Sequence, residues 1–144
     1  MVELTTVAIA PHLASLDIDK LMAGTISTAT ELVGCEGGWG LMYDHAEGLL
    51  WHHAGSRVHA MPAVSAGIAG AAAIAKESVN IASAKADSRF NRFVDSLGPS
   101  ASRSLIAVPM VDNDTGECTG VIELCNKHGQ PLFSDDDIAY LAEV

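Results

Sequence analysis

The chain has 144 residues, 49% hydrophobic but only 5% aromatic, which suits one domain with a mostly aliphatic core. Its formal net charge of −10 excludes nonspecific binding to nucleic acid or anionic membranes, while backbone donors in one pocket can still bind a small anion. The three cysteines form no CxxC pair, which excludes a zinc ribbon or thioredoxin motif and favours free thiols in a reducing, cytoplasmic setting without a signal peptide.

The first half of the chain predicts one helix followed by three strands. Residues 1–16 have no strong pattern, and we expect an N-terminal extension or linker there. From Asp17 onward, apolar residues recur every three or four positions, which predicts a helix that Asp17 caps and Gly34 ends. The predicted strands are "GGWGLMYD" (37–44), "LLWHHA" (49–54) and the shorter "RVHAMPA" (57–63).

The second half predicts short helices, a hairpin and a final helix. Alanine-rich "GIAGAAAIAKES" predicts a helix over about 68–77, "VNIA" favours a short strand, and "DSRFNRFVDSLG" favours one or two short helices. The β-rich runs 104–112 and 118–127 flank the turn "NDTG" and predict a hairpin. Ser134 can cap a last helix that begins with three aspartates. Because the chain ends barely two turns later, we expect this helix to continue toward another domain.

This order of elements predicts an α+β domain with an antiparallel sheet of about five to six strands. The strings "GIAGAAA", "VNIASAKADSRF", "RSLIAVPMVD", "GECTGVIELCNK" and "LFSDDD" occur in the order found in GAF domains, and the resemblance covers residues 17–144. The resemblance implies a single domain with a PAS-like fold. Helices would pack on one face of the central sheet, and the other face would carry a small-molecule pocket.

The C-terminal stretch resembles the cyclic-nucleotide-binding GAF domains of phosphodiesterases and adenylyl cyclases. Those domains carry Asn-Lys, a gap, Phe, three residues and then Asp-Glu. The matching residues are Asn126, Lys127, Phe133 and Asp137, whereas Ile138 stands where Glu is expected. The resemblance implies that the four form a structural latch motif that ties the strand end to the last helix. Lys127 would pair with Asp137 as an exposed ion pair, and Phe133 would anchor the turn.

The resemblance also implies a ligand, cAMP or cGMP, which needs a phosphate cradle, a group that reads the purine edge and a stacking surface. Gly67 and Gly70 let the backbone approach a ligand closely, and Ile68 and Ala69 would line this phosphate-binding wall. The alternative is that both glycines serve only tight turning and helix packing.

Further site residues follow from the same resemblance. Asp95 falls where the family places the acidic residue that reads the purine edge, and Asn91 lies one helical turn earlier. Ser102 lies in the segment that closes over the ligand. His53 stands where some relatives place an aromatic stacker, and this departure weakens the expectation of nucleotide binding. The alternative for Asp95 is a solvated charge on a helix.

Glu123 lies in the last predicted strand, on the same face as Val121 and Cys125. An unpaired carboxylate among apolar neighbours is costly to bury, so either this face is open or Glu123 meets a hydrogen-bond donor. The GAF resemblance places a ligand-proximal glutamate here.

Three other functions compete with the cyclic-nucleotide reading. "WHH" allows haem ligation, although His52 and His53 point to opposite faces of a strand. A reductase of free methionine-R-sulfoxide needs two nearby cysteines, and none occurs from His53 to Ala101. A third possibility is a ligand-free GAF dimerisation module. We expect a regulatory, non-enzymatic domain without a metal site, which dimerises through its terminal helices and relays ligand occupancy to an output domain.

Overall fold

The structure is a computed structural model that describes residues 11–54, 57–63, 67–96 and 101–142. Its elements are α1 (Pro11–Val33), β1 (Cys35–Asp44), β2 (Leu49–Ala54), β3 (Arg57–Ala63), α2 (Gly67–Ala75), β4 (Val79–Ile81), a 3₁₀ helix (Ala84–Ala86), α3 (Arg92–Asp95), β5 (Leu105–Val111), β6 (Cys118–Lys127) and α4 (Asp135–Ala142). The strands form one antiparallel sheet in the order β3-β2-β1-β6-β5-β4. The predicted α+β class and antiparallel sheet are therefore confirmed.

Helix α1 includes Pro11 and so begins well before the predicted start at Asp17. Proline suits the first turn of a helix, because its fixed φ is already helical and its missing N–H has no partner there. Gly34 ends the helix as predicted, with φ at +70° and its N–H bonded to the Thr30 carbonyl at 3.0 Å. Residues 11–16 of the predicted linker thus form the first turns of α1, and residues 1–10 lie outside the described part of the chain.

The apolar stripe of α1 is only partly used by the core. Met22, Ala29 and Val33 are buried, as the helical spacing predicts. Leu21 and Leu32 belong to the same sequence pattern but are 72% and 53% exposed. The sheet therefore covers one edge of the stripe and leaves the other edge uncovered within the described residues.

Two apolar clusters cover the two faces of the sheet. The first lies under α1 and α4 and consists of Met22, Ala29, Val33, Cys35, Ile106, Val108, Ile122, Leu124, Phe133 and Leu141. The second lies under α2 and the 3₁₀ helix and consists of Trp39, Leu41, Leu50, Ile68, Ala69, Ala72, Ala73, Ala84, Leu105, Ala107, Cys118, Val121 and Cys125. Helices thus cover both faces, and α2 roofs the face where the pocket was expected.

Strand β6 is central, because it pairs with β1 on one side and β5 on the other. Its side chains alternate as predicted. Val121 and Cys125 join the cluster under α2, and Ile122 and Leu124 join the cluster under α1. Glu123 therefore points toward α2 from the middle of the sheet.

Among the described helices, none is both long and apolar enough to cross a membrane.

Candidate functional site

The side chain of Asp95 is fully buried against the N-terminus of α2. Ile68 donates its backbone N–H to Oδ2 at 2.8 Å, and Ala69 donates to Oδ1 at 3.1 Å. The backbone N–H of Asn91 donates to Oδ2 at 2.9 Å. Free amides and the helix dipole both favour an anion at this position. The alternative that Asp95 is a solvated helix charge is therefore wrong.

Gly67 makes this close approach possible. Its φ is +74°, a left-handed conformation that glycine adopts without a steric penalty. A Cβ at this position would lie 2.6 Å from Oδ2 of Asp95. The suggestion that the glycine serves only turning and helix packing thus misses its second role, which is to leave room for a carboxylate.

Ser102 contacts Asp95 through the backbone. Its hydroxyl donates to the Asp95 carbonyl oxygen at 2.7 Å, and the serine is only 1% exposed. Asp95 ends the single-turn helix α3, so this bond fixes the end of that helix. In the observed geometry Ser102 acts as a positioning residue for Asp95.

Glu123 lies beside Asp95 and is completely buried. Its Oε1 accepts the indole N–H of Trp39 at 3.2 Å, and no described donor reaches its Oε2. Burial, and then the neighbouring Asp95 charge, raise the pKa of Glu123 well above its ordinary value. Burial thus favours the protonated form of Glu123, and in that form it can donate a hydrogen bond to Asp95.

Trp39 contacts the candidate site but was not singled out from the sequence. Of the two alternatives for Glu123, an open face or a hydrogen-bond donor, the structure shows a donor, and this donor, Trp39, is its direct cross-strand partner in the β1–β6 pairing. The signal was a tryptophan in a predicted strand. This tryptophan could be paired with Glu123 only with the knowledge that the first and last strands are neighbours in the sheet.

These residues converge on one carboxylate, that of Asp95. Backbone N–H groups of Ile68, Ala69 and Asn91 converge on one point, and the Glu123 carboxyl group, which is a donor when protonated, lies beside it. We call these four donors the anion cradle, and its occupant in this structure is the Asp95 carboxylate. Six of the seven expected ligand residues are thus brought together, namely Ile68, Ala69, Asn91, Asp95, Ser102 and Glu123.

His53 is the seventh. It lies in β2, where its backbone pairs with Val58 of β3, and β2 is separated from β6 by β1. Its side chain lies outside the described part of the structure, so its stacking role remains a prediction.

The latch residues form a second group at the end of β6. The Lys127 ammonium lies 3.0 Å from the Asp137 carboxylate and also donates to the Val33 carbonyl at the end of α1. The two charged side chains are only 14% and 13% exposed. The pair was expected at the surface, but the ends of α1 and β6 shield it. Lys127 therefore joins α1, β6 and α4.

Asp137 also caps α4, together with Ser134. The Asp137 N–H donates to Ser134 Oγ at 3.1 Å, and the Ser134 N–H donates to Asp137 Oδ2 at 2.9 Å. This reciprocal pair is a capping box, and the predicted N-cap at Ser134 is confirmed. Partial burial opposes ionisation of Asp137, but hydrogen bonds from Ser134 and Lys127 outweigh it and lower the Asp137 pKa.

Phe133 anchors the turn before α4 and is 3% exposed. Asn80 of β4 holds its backbone, accepting the Phe133 N–H at 3.2 Å and donating to the Phe133 carbonyl at 2.8 Å. Asn80 was not singled out from the sequence, because no local pattern links it to a residue 53 positions away.

Asn126 fastens a different part of the chain. Its Oδ1 accepts the backbone N–H groups of Arg103 and Ser104 at 2.6 and 3.2 Å. Its Nδ2 donates to the Glu36 carboxylate at 2.7 Å and to the Ala101 carbonyl at 3.0 Å. Asparagine also tolerates the left-handed φ of +61° found here. Asn126 thus ties β6 to the segment entering β5, whereas Lys127 ties it to the last helix.

The cysteines are poorly placed for thiolate chemistry. Cys35, Cys118 and Cys125 are free and buried. Burial raises the pKa of all three thiols, that of Cys125 to about 11. Within the described residues, no group of three histidine, cysteine or acidic side chains could hold a metal ion.

A separate apolar cavity lies between α1 and the sheet, on the face opposite the anion cradle. Its volume is about 350 Å³. It is lined by Leu21, Met22, Thr25, Met42, Met110, Thr119 and Ile122. None of the predicted ligand residues lines it.

Comparison with known proteins places the chain in a family. The GAF domain profile matches residues 17–144. A dual 3′,5′-cyclic-AMP and -GMP phosphodiesterase 11 from Drosophila melanogaster is 39% identical over 71 residues, which are 49% of this chain and 5% of that protein. The chain therefore corresponds to a small part of this relative.

Solved structures share the fold. The GAF domain of a phosphoenolpyruvate-protein phosphotransferase from Coxiella burnetii has a TM-score of 0.71 and 15% identity, covering 96% of this chain and 81% of that one. Free methionine-R-sulfoxide reductase from Neisseria meningitidis, in complex with its substrate, has a TM-score of 0.69 and 23% identity, covering 87% and 71%. With the profile match over most of its length, the chain belongs to the GAF domain family.

Proposed function

We propose that this chain is a regulatory GAF domain that binds a cyclic nucleotide, cAMP or cGMP, and is not itself an enzyme. The observation that carries the proposal is the anion cradle at the N-terminus of α2. Backbone amides at a helix N-terminus are suited to a singly charged cyclic phosphate. The fully buried Glu123, with one oxygen that receives no described hydrogen bond, adds a polar group beside them.

The proposed ligand would place its phosphate on the Ile68 and Ala69 amides and its purine toward His53. Support comes from the Drosophila relative, whose name records activity on both cyclic nucleotides. The high thiol pKa values also support a domain without cysteine chemistry, unlike a redox enzyme that uses a thiolate.

Relay to an output domain is part of the same proposal. Strand β6 carries Glu123 at the cradle and Lys127 at the latch, four residues apart. Lys127 contacts both α1 and α4, the first and last helices of the described chain. A shift of β6 on ligand binding would therefore change the arrangement of both helices.

Thermal unfolding with a nucleotide panel tests ligand binding. A ligand at a hundred times its Kd stabilises the folded state by about 2.7 kcal/mol, which raises Tm by roughly 5–10 °C for a chain of this size. We expect this rise with cAMP or cGMP and not with 5′-AMP. Absence of any shift with either cyclic nucleotide at millimolar concentration would contradict the proposal.

A matched pair of variants tests the stacking surface. His53→Ala should weaken cyclic-nucleotide binding, whereas His52→Ala, on the opposite face of the same strand, should leave it unchanged. Equal effects of the two substitutions in a calorimetric titration would remove His53 from the site.

A ligand-free dimerisation module is the second candidate function. Leu21 and Leu32 favour it, since they are exposed on α1 and lie eleven residues apart, which is close to three helical turns. They therefore lie on one edge of α1, which a second copy of the chain could cover. Sedimentation equilibrium of the wild type and of Leu32→Glu, without nucleotide, measures this directly. A monomeric wild type would exclude this role for the chain alone.

A further inference from the structure

We propose that Asp95 is a built-in occupant of the anion cradle, so that an external anion must displace its carboxylate before the Ile68 and Ala69 amides can bind it. The identity of the natural ligand rests on the proposed function, but the displacement itself does not. Asp95 would thus hold the site closed instead of reading the purine edge.

The hydrogen bonds of Asp95 leave it little capacity for a ligand. A carboxylate has about four acceptor positions. Three are used by the N–H groups of Ile68, Ala69 and Asn91. The fourth faces Glu123, whose proton it can accept. While Asp95 stays in this position, it can neither read a purine edge nor leave the amides free for a phosphate.

Glu123 provides a second, independent indication that an anion belongs here. Trp39 donates to one of its oxygens, and the other is fully buried without a hydrogen bond from any described residue. Buried polar atoms are rarely left unpaired. A neutral carboxyl group satisfies that oxygen by donating to an anion in the cradle, whether the anion is Asp95 or a bound ligand.

Asp95 sits on an element that can move. Helix α3 is a single turn of four residues, a length that is not stable without tertiary contacts. Its end is held by the three amides and by the Ser102 hydroxyl on the Asp95 carbonyl. If Asp95 left without a replacement, the buried amides would lose their partners, which is costly. The exchange is therefore coupled, and only an incoming anion makes it favourable.

Titration with inorganic phosphate tests the inference in Asp95→Asn and Asp95→Ala. Removing the resident charge should tighten phosphate binding by roughly tenfold or more, because the wild-type cradle is free only in a minor state. The amide NMR signals of Ile68 and Ala69 should shift with the same titration curve. Asp114→Asn, an exposed turn residue that removes the same charge, is the control and should bind phosphate like the wild type.

Titrating the same proteins with cAMP and cGMP distinguishes a failure of this inference from a failure of the proposed function. Tighter phosphate binding by both variants, with no cAMP or cGMP binding by any protein, would support the resident anion and reject the cyclic nucleotide. Cyclic-nucleotide binding that weakens in both variants would support the cyclic nucleotide and reject the resident anion, since Asp95 would then be a ligand contact. Phosphate affinity unchanged from the wild type would also overturn the resident anion.

The wild type decides the question if both variants fail to fold. Its Ile68, Ala69 and Asn91 amide signals should shift together as phosphate or cAMP is added, since one carboxylate leaves all three at once. Binding without a common shift of these three signals would overturn the displacement.

Discussion

Glu123 ties the stability of the domain to pH. Its pKa is raised in the folded state, chiefly by burial and then by the Asp95 charge, while the Trp39 hydrogen bond opposes the rise. Its contribution to stability is therefore complete below the unfolded-state pKa and is lost as pH rises through the folded-state pKa. The site is also coupled to two other titratable groups, because the Glu123 charge helps to raise the pKa of Cys125 and the Asp95 charge helps to raise that of Arg89.

Glu123→Gln should remove the loss of stability that the wild type shows as pH rises. Above about pH 4.5, the wild type should lose roughly 1.4 kcal/mol of unfolding free energy per pH unit relative to the variant, until the folded-state pKa is reached. Glutamine stays neutral, and its amide can still accept from Trp39 and donate to Asp95. Urea unfolding from pH 5 to 8 measures the difference, with the exposed Glu117→Gln as control. Parallel pH profiles of wild type and Glu123→Gln would contradict the assignment.

Gly67→Ala should destabilise the fold through both of its constraints. A non-glycine residue at φ +74° costs about 1–2 kcal/mol, and the new Cβ would also press on the Asp95 carboxylate. Gly24→Ala is the matched control. Gly24 lies in α1 with open space around its Cβ, so alanine should stabilise by about 0.5–1 kcal/mol. Unfolding free energies that change equally in the two variants would show that Asp95 does not need the space above Gly67.

Residue roles could be predicted where the chemistry is local. The cost of a carboxylate on an apolar face predicted that Glu123 meets either solvent or a donor, and a serine before three aspartates predicted the cap of α4. The burial of Asp95 could not be foreseen, because its partners are backbone amides of a helix that begins 28 residues earlier.

At the scale of elements, Lys127 connects β6 to α1 and α4 through its contacts with the Val33 carbonyl and the Asp137 carboxylate. Lys127→Met should cost about 1–3 kcal/mol of unfolding free energy, since it leaves Asp137 mostly buried with only its Ser134 contacts. Asp137→Asn is the partner for a double-mutant cycle, because asparagine can keep the cap on Ser134 while losing the charge. The double variant should lose less than the sum of the single losses. Additive losses in urea unfolding would mean that the two side chains do not interact.

Element boundaries followed from the sequence wherever turns punctuate a strand. Strands β2 and β6 have the predicted bounds, since glycine-containing or polar segments delimit them. The start of helix α1 was not predicted, because Pro11 and the residues after it are compatible with a first turn but carry no periodic signal. The exposure of Leu21 also escaped prediction, since an apolar stripe does not reveal how wide a strip the sheet covers.

In the molecule as a whole, β6 connects the two groups of functional residues. The cradle lies on the α2 face, and the latch lies at the end of the same strand, where α1 and α4 meet it. Asn126 adds a second connection, because it bonds the segment that contains Ser102 and Arg103 to the end of β6. If a ligand displaces Asp95 as proposed, the Ser102 hydrogen bond would change too, and the change would reach β6 both through Glu123 and through Asn126.

This connection predicts long-range protection of the last helix. Binding of cAMP to the wild type should slow amide hydrogen exchange in α4 several-fold, because occupancy of the cradle favours one position of β6 and its latch. In Lys127→Met, α4 should no longer respond, and the affinity for cAMP should fall by no more than the same several-fold factor, because the coupling is reciprocal. Asp114→Asn, in the exposed turn between β5 and β6, should leave both binding and protection unchanged. Full protection of α4 in the Lys127 variant would show that the signal, if any, leaves the sheet by another path.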